Sequence, residues 1–132
     1  MPAVDTNVLV RFLIEDDPDQ CAAVRHFMQR CIATRQTIFV PITVALELEW
    51  VLRSNFKCHK TEVIAVLSEL LSTRELTFES EAALETALTH FAEGSADFSD
   101  CVHAALAFQA DHGPLWTFDK AAARIEGAAL LA

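Results

Sequence analysis

The chain has 132 residues, 52% of them hydrophobic and 22% charged, which is enough for one compact domain with a substantial core. Its formal net charge is −9, from 19 acidic and 10 basic residues, which excludes a broadly basic nucleic-acid binder because phosphate contacts require clustered lysine and arginine. No uncharged run reaches the ~20 apolar residues of a membrane helix, and Asp5 interrupts the N-terminus too early for a signal peptide. We therefore expect a single-domain cytoplasmic protein spanning residues 1–132.

The predicted elements alternate between strands and helices. Strands are indicated by short apolar or β-branched runs, and helices by an apolar period of 3.6 residues, with Thr43, Thr61 and Ser80 as predicted caps. This alternation favours the α/β class, as a three-layer α/β/α sandwich with a central parallel β-sheet. In chain order the predicted strands lie at 3–5, 37–40, 76–78 and 115–118, and the predicted helices at 7–14, 18–32, 43–55, 61–71, 81–91, 98–111 and 119–124.

The cysteines lie mostly within helix-like apolar patterns, which is typical of reduced packing residues. Cys58 precedes His59, and Cys101 lies two residues before His103, but no C-x-x-C or H-x-x-x-H spacing supports a zinc site. We therefore predict no zinc and no disulfide framework. The four cysteines are Cys21, Cys31, Cys58 and Cys101.

An acid follows the first predicted strand. In an open parallel sheet, ligands bind beyond the carboxyl ends of the strands, so polar residues at these positions are informative. Asp5 lies at such a strand-to-helix junction, where the positive end of the helix stabilises a carboxylate. Asp5 is equally suited to be a simple N-cap, with Thr6 and Asn7 sharing that work. Its position alone leaves both interpretations open.

Two glutamates flank an apolar helix face in the helix predicted over 43–55. Glu49 has Arg53 four residues further on, the favourable orientation for a surface ion pair, so we interpret Glu49 as structural. Glu47 has no charged partner at that spacing, and we predict that it has a functional role. The apolar face between them is formed by Val44, Leu48, Val51 and Leu52.

Three further acids precede helices in the second half of the chain. Asp97 and Asp100 lie at the start of a helix rich in small residues, where their spacing also resembles a capping box. Asp119 follows the last predicted strand and is equally suited to cap the short helix after it. Capping explains one of the first two acids, whereas two acids at the start of a buried helix favour a bound cation.

Acids from four separate segments are expected to converge on one site. Grouped carboxylates repel one another and shift towards protonation unless a cation neutralises them, so a functional cluster implies a divalent ion. Oxygen ligands favour Mg²⁺ or Mn²⁺. Thr6 and Asn7 supply neutral groups that orient the first carboxylate or a bound water. The four acids are Asp5, Glu47, Asp100 and Asp119.

Four stretches carry a resemblance to a known family. In their order and spacing the chain resembles a PIN-domain ribonuclease, in particular the VapC-like toxin of a type II toxin–antitoxin pair. The resemblance covers essentially the whole chain. The stretches are Ala3-Val4-Asp5-Thr6-Asn7-Val8-Leu9, Ala45-Leu46-Glu47-Leu48-Glu49-Trp50-Val51-Leu52-Arg53, Asp97-Phe98-Ser99-Asp100 and Thr117-Phe118-Asp119.

The resemblance implies an α/β/α sandwich, dependence on Mg²⁺ or Mn²⁺, endonuclease action on RNA, homodimerisation and inhibition by a cognate antitoxin protein. It assigns the metal and catalytic positions to Asp5, Glu47, Asp100 and Asp119, with Asp97, Thr6 and Asn7 as auxiliary residues. The chain stops soon after residue 131, so a final strand is expected to be short. The acidic composition leaves the RNA-contacting surface unidentified.

Two groups of residues complete the functional hypothesis. Arg11, Lys120 and Arg124 are candidates for phosphate contacts, although surface solvation explains each of them equally well. Leu46 and Trp50 lie on the far side of their helix and suit a dimer or partner surface.

Two other classes of function remain as alternatives. The first is a phosphatase or phosphotransfer domain with Asp5 as the nucleophile. It is disfavoured because Asn7 stands where a second acid is needed. The second is a catalytically degenerate binding module, and the complete set of acids argues against it.

Overall fold

The computed structural model describes residues 1–131. Over that range the chain forms six α-helices, four strands and one 3₁₀ turn. The helices are α1 (Thr6–Leu13), α2 (Pro18–Ala33), α3 (Ile42–Ser54), α4 (Lys60–Leu71), α5 (Glu81–Glu93) and α6 (Phe98–Gln109). The strands are β1 (Ile38–Val40), β2 (Leu76–Phe78), β3 (Leu115–Thr117) and β4 (Ala128–Leu130), and the 3₁₀ turn is Ala122–Arg124.

The chain divides into two compact units. The first unit comprises Met1–Lys57 and Glu69–Glu79, and it contains α1, α2, α3, β1 and β2. The second unit comprises Cys58–Ser68 and the chain from Ser80 onward, and it contains α5, α6, the 3₁₀ turn, β3 and β4. Helix α4 contributes its first part to the second unit and its last turn to the first.

The first unit is built around a short parallel ladder. Strand β1 pairs with β2 so that Ile38 lies opposite Leu76 and Val40 opposite Phe78. Ala3 forms an isolated parallel bridge with Phe39 on the other side of β1, so the strand predicted over 3–5 is reduced to this bridge. Ile38 and Val40 are fully buried and Phe39 between them is half-buried, so one face of β1 lies against the core and the other is partly covered. Helix α1 packs against α2 and α3 on this framework.

The second unit is dominated by two helices packed side by side. Helices α5 and α6 approach closely because small residues lie on their contacting faces, among them Ala83, Ala87 and Ala104, each at most 4% exposed. The rings of Phe91 and Phe98 meet edge to face with centroids 5.5 Å apart. Strands β3 and β4 form a second parallel pair in this unit.

The predicted α/β class with parallel strands is confirmed. The predicted central sheet is observed as two two-stranded parallel sheets, one in each unit, and every described strand is three residues long. Strand β4 is the short final strand that the resemblance implied; its residues by themselves do not indicate a strand, because they include no β-branched side chain.

Two predicted helix starts are wrong. Thr43 and Thr61 lie inside α3 and α4, which begin one residue earlier, at Ile42 and Lys60. The start of α3 needs no threonine because the Glu79 carboxylate accepts a hydrogen bond from the Ile42 N–H at 2.8 Å. Glu79 lies 37 residues away along the chain, so a local sequence pattern cannot predict this capping bond.

Two other predicted helices differ in detail. Ser80 is the N-cap residue of α5 as predicted, but it has φ 55° and its side chain makes no capping bond. The short helix predicted over 119–124 is reduced to the 3₁₀ turn.

The cysteines are free thiols, as predicted. Cys21, Cys31 and Cys101 are buried and Cys58 is half-buried. None of the helices within residues 1–131 has both the length and the apolar character needed to cross a bilayer.

Candidate functional site

Asp5 is held at the first strand-to-helix junction. It is the N-cap of α1, with an extended backbone, and its Oδ1 accepts a hydrogen bond from the Val8 N–H at 3.2 Å. Capping therefore uses one carboxylate oxygen, and the exposed side chain leaves the other available to a ligand. The simple N-cap interpretation and the functional one are compatible in this geometry.

Thr6 links the start of α1 to α3. Its side chain is buried, and its hydroxyl donates a hydrogen bond to Oε1 of Glu47. Glu47 lies in α3 and is exposed, so its carboxylate is fixed on one side and open to solvent. Asn7 is the next residue of α1 and is exposed as well. The hydrogen bond between Thr6 and Glu47 therefore brings the start of α1, where Asp5 is the N-cap, next to Glu47 of α3.

Glu49 has the structural role that its spacing to Arg53 predicted. The Arg53 Nε donates to Oε2 of Glu49 at 2.9 Å. The prediction of a surface pair is wrong in one respect, because the Glu49 side chain is only 6% exposed while that of Arg53 is 52% exposed. The glutamate is buried because α3 directs Ala45, Leu48, Glu49 and Leu52 inward.

Asp100 lies in the first turn of α6, and two other carboxylates of the second unit affect it. Asp97 is the N-cap residue of α6, but its side chain makes no capping hydrogen bond, so the predicted capping role is not observed. Burial raises the pKa of Asp100, the negative charges of Asp97 and Asp119 raise it further, and His103 opposes them. Asp97 and Asp119 therefore both lie within electrostatic reach of Asp100.

Asp119 is held by the turn that follows β3. Its Oδ1 accepts hydrogen bonds from the N–H groups of Ala121 and Ala122 at 2.8 and 3.0 Å. Its own N–H donates to Oγ1 of Thr117 at 3.0 Å. The turn thus fixes one oxygen of an exposed carboxylate, in the same way that α1 fixes Asp5.

The donor chemistry of these residues fits a hard divalent cation. Every candidate ligand is an oxygen, which suits Mg²⁺ or Mn²⁺ and not zinc. Within residues 1–131, no three His, Cys, Asp or Glu side chains form a ready-made metal site. Mg²⁺ does not need one, since it keeps several waters and is commonly bound through one or two carboxylates plus substrate phosphates.

The candidate phosphate-binding residues have different surroundings. The Arg11 guanidinium is engaged by the side chains of Asp16 and Gln20. Arg124 is exposed and lines a cavity of about 520 Å³ together with residues of the loop after α5. Lys120 is exposed at the turn beside Asp119. Lys120 and Arg124 are therefore better placed than Arg11 to meet an anion.

Sequence reasoning missed two basic groups in the second unit. His103 lies one helical turn after Asp100 and lowers the pKa of Asp100, against the effect of the neighbouring acids. The i, i+3 spacing of these two residues could have indicated this interaction from the sequence. The Lys60 ammonium donates to the carbonyl of Gly94 at 2.7 Å and lies 4.7 Å from the centre of the Phe91 ring. No local pattern indicated these contacts of Lys60.

The fold and the placement of the acids define an α/β protein with carboxylates at strand ends and helix starts. Residues 3–128 match the family described as PIN domain, and the chain belongs to that family. It is 22% identical over 102 residues to a protein named VapC ribonuclease from Aquifex aeolicus (strain VF5), across 77% of this chain and 75% of that relative. The predicted PIN-domain, VapC-like resemblance is confirmed.

Proposed function

We propose that the chain is a metal-dependent endoribonuclease and the toxin of a toxin–antitoxin pair. The observation that supports this most is that the chain belongs to the PIN domain family along nearly its whole length and has Asp97 and Asp119 within electrostatic reach of Asp100. The ribonuclease name of its relative supports RNA as the substrate. A cognate antitoxin and a homodimer follow from the resemblance to VapC-like toxins.

We assign the catalytic and metal-binding roles to Asp5, Glu47, Asp100 and Asp119. A bound Mg²⁺ or Mn²⁺ supplies a Lewis acid that neutralises charge on the scissile phosphate and lowers the pKa of a water molecule. The carboxylates position the ion and do not attack the substrate. Asp97 adds negative charge beside Asp100 as an auxiliary residue.

Preorganisation is the contribution of the surrounding residues. The Val8 N–H holds Asp5, and two N–H groups hold Asp119, so in each case one oxygen is fixed before a ligand arrives. The Thr6 hydroxyl likewise fixes one oxygen of Glu47, and Asn7 has a neutral amide close to Asp5 in the chain. Carboxylates that are already oriented lose less entropy when they bind an ion, which favours catalysis.

The net negative charge of the chain limits where RNA phosphates can bind. A chain of net charge −9 attracts RNA only where bases or a bound cation create local positive potential. Lys120 lies beside Asp119 in the chain, and Arg124 follows within the 3₁₀ turn. We assign the phosphate contacts to these two residues, while Arg11 is held by its acidic neighbour.

Sequencing of RNA ends after induced expression tests the proposal. The native chain should generate new RNA ends at defined positions, and the Asp5→Asn variant, expressed at the same level, should not. Identical end profiles from the two chains would contradict the nuclease assignment. Growth arrest by the native chain without new RNA ends would point to a binding module.

A further inference from the structure

Strand β3 presents two large aromatic side chains to solvent. Trp116 is 58% exposed and Phe118, just after the strand, is 79% exposed. Leu115 and Thr117, which alternate with them, are half-buried, and the pairing with the last strand continues through Thr117, whose carbonyl accepts from the Leu131 N–H at 2.8 Å. This alternation of exposed and half-buried residues favours the same side of the chain for both aromatic rings. Single exposed apolar residues are ordinary, but two adjacent ones form a patch of the kind that binds a partner.

The patch adjoins one of the assigned metal ligands. Phe118 is bonded directly to Asp119, whose carboxylate is fixed by the turn that follows. Consecutive Cα atoms are about 3.8 Å apart, so a nucleotide whose phosphate lies at Asp119 brings a neighbouring base within reach of the Phe118 ring. Lys120, on the other side of Asp119, is exposed and carries the opposite charge to a phosphate.

The overall charge favours bases as the occupant. With 19 acids against 10 bases, this chain has few phosphate contacts to offer, so part of its affinity for RNA must come from contacts that need no positive charge. Stacking of a base on an aromatic ring is such a contact, and removal of one ring weakens binding by roughly 5- to 100-fold. Only unpaired bases expose their faces for it.

We propose that Phe118 and Trp116 form a stacking surface for unpaired bases of the RNA, next to the scissile position. This inference rests on the proposed nuclease function and assigns the residues that contact the bases beside the cleavage position. Phe118, nearer to Asp119, contacts the base closest to the cleavage position, and Trp116 contacts the next one. Both are substrate-positioning residues.

Binding of a fluorescein-labelled single-stranded RNA, measured by anisotropy, tests this surface in an Asp100→Asn background that prevents cleavage. Phe118→Ala should weaken binding about tenfold, and Phe118→Trp should restore it. The matched control is Phe108→Ala, which removes an equally exposed ring, at 77%, from α6 of the same unit and should leave binding unchanged. The same sequence in a duplex should be insensitive to all three substitutions.

Trp116 offers an independent readout. The chain has two tryptophans, so Trp50→Phe leaves Trp116 as the sole reporter. Single-stranded RNA should quench its fluorescence with the same midpoint as the anisotropy change, and duplex RNA should not. Unchanged fluorescence on saturation with single-stranded RNA would overturn the stacking of Trp116.

The other outcomes separate this inference from the nuclease assignment. If Phe118→Ala binds RNA as tightly as its parent while the native chain still cleaves RNA, the stacking surface is wrong and the nuclease function stands. If Phe118→Ala leaves RNA binding intact and converts a dimer to a monomer in sedimentation, the patch belongs to a second copy of the chain. If the parent binds no RNA and the native chain cleaves none, both proposals fail.

Discussion

The hydroxyl of Thr6 donates a hydrogen bond to the carboxylate of Glu47, which joins the first residue of α1 to the middle of α3. Thr6 is only 4% exposed, so its hydroxyl has little access to water and depends on this partner. Glu47 is exposed, and its orientation is set by Thr6. A buried threonine thus positions an acid that lies 41 residues away.

Thr6→Val should uncouple this pair without changing the shape of the side chain. The free energy of unfolding should fall by about 1 kcal/mol, because one hydrogen bond is lost while Glu47 regains water. Cleavage should slow about tenfold or more, the usual cost when the partner of a metal ligand is removed. Thr6→Ser, which keeps the hydroxyl, should retain most of the rate. Cleavage at the native rate by Thr6→Val would contradict the positioning role.

The sequence predicted different roles for Glu47 and Glu49 of α3. It did not predict which residues surround each side chain in the folded chain. The spacing of Glu49 and Arg53 revealed their pairing, because it depends only on helix geometry. The burial of Glu49 and the bond between Glu47 and Thr6 depend on which helices pack together, and no periodicity within α3 contains that information.

The same distinction explains the errors in the fold. Helices with strong apolar periods were predicted almost completely. Strand β4 was expected only from the family resemblance, because Ala128–Leu130 has no strand-like pattern of its own and becomes a strand by pairing with β3. The start of α3 was misplaced because its capping acceptor, Glu79, comes from another part of the chain. Asp5, Asp97, Asp100 and Asp119 were identifiable because each lies next to a predicted boundary between elements. Glu47, inside its helix, was identifiable because it has no charged partner at helical spacing.

Comparison of Glu47→Gln with Glu49→Gln separates function from stability within one helix. Glu47→Gln should slow cleavage at least tenfold with little change in unfolding, since the amide oxygen still accepts from Thr6. Glu49→Gln should lower the free energy of unfolding by about 1 kcal/mol, because it weakens the pair with a half-exposed Arg53, and leave cleavage unchanged. Urea denaturation and initial rates measure the two effects. Equal loss of cleavage in both variants would refute the distinction.

Asp5 and Asp17 form a matched pair of helix caps. Each accepts a hydrogen bond from an N–H three residues on, at 3.2 Å for Asp5 and 3.1 Å for Asp17. Asparagine caps helices as well as aspartate does, so Asp5→Asn and Asp17→Asn should both retain stability. Only Asp5→Asn should lose cleavage and Mn²⁺ binding, at least tenfold, in calorimetric titration. If Asp5→Asn binds Mn²⁺ like Asp17→Asn, Asp5 is a cap alone.

Stability without metal should depend on pH through Asp100. Burial and the neighbouring acids Asp97 and Asp119 raise its pKa in the folded chain, so folding is opposed when Asp100 ionises. The stabilising contribution of this group is complete below the ordinary pKa of 3.8 and is lost as the pH rises through the raised value.

Asp100→Asn should therefore unfold at a higher temperature than the native chain in EDTA at pH 7. The difference should shrink as the pH falls towards 3.8, where the native carboxyl is protonated. Added Mg²⁺ should stabilise the native chain and not the variant, because only the native chain gains a ligand. A difference in melting temperature that is the same at all pH values would rule out this origin.

The central claim is that the acids around Asp100 act in metal-dependent RNA cleavage, and the initial rate of cleavage of a single-stranded RNA in Mg²⁺ tests it most directly. The comparison is Asp100→Asn against Asp111→Asn, which changes an exposed aspartate of the same unit with φ 61°, a conformation that asparagine tolerates. We expect Asp111→Asn to cleave at the native rate and to lose this activity when EDTA is added. We expect Asp100→Asn to cleave at least a hundredfold more slowly while remaining folded. Native-rate cleavage by Asp100→Asn, or cleavage that persists in EDTA, would contradict the account.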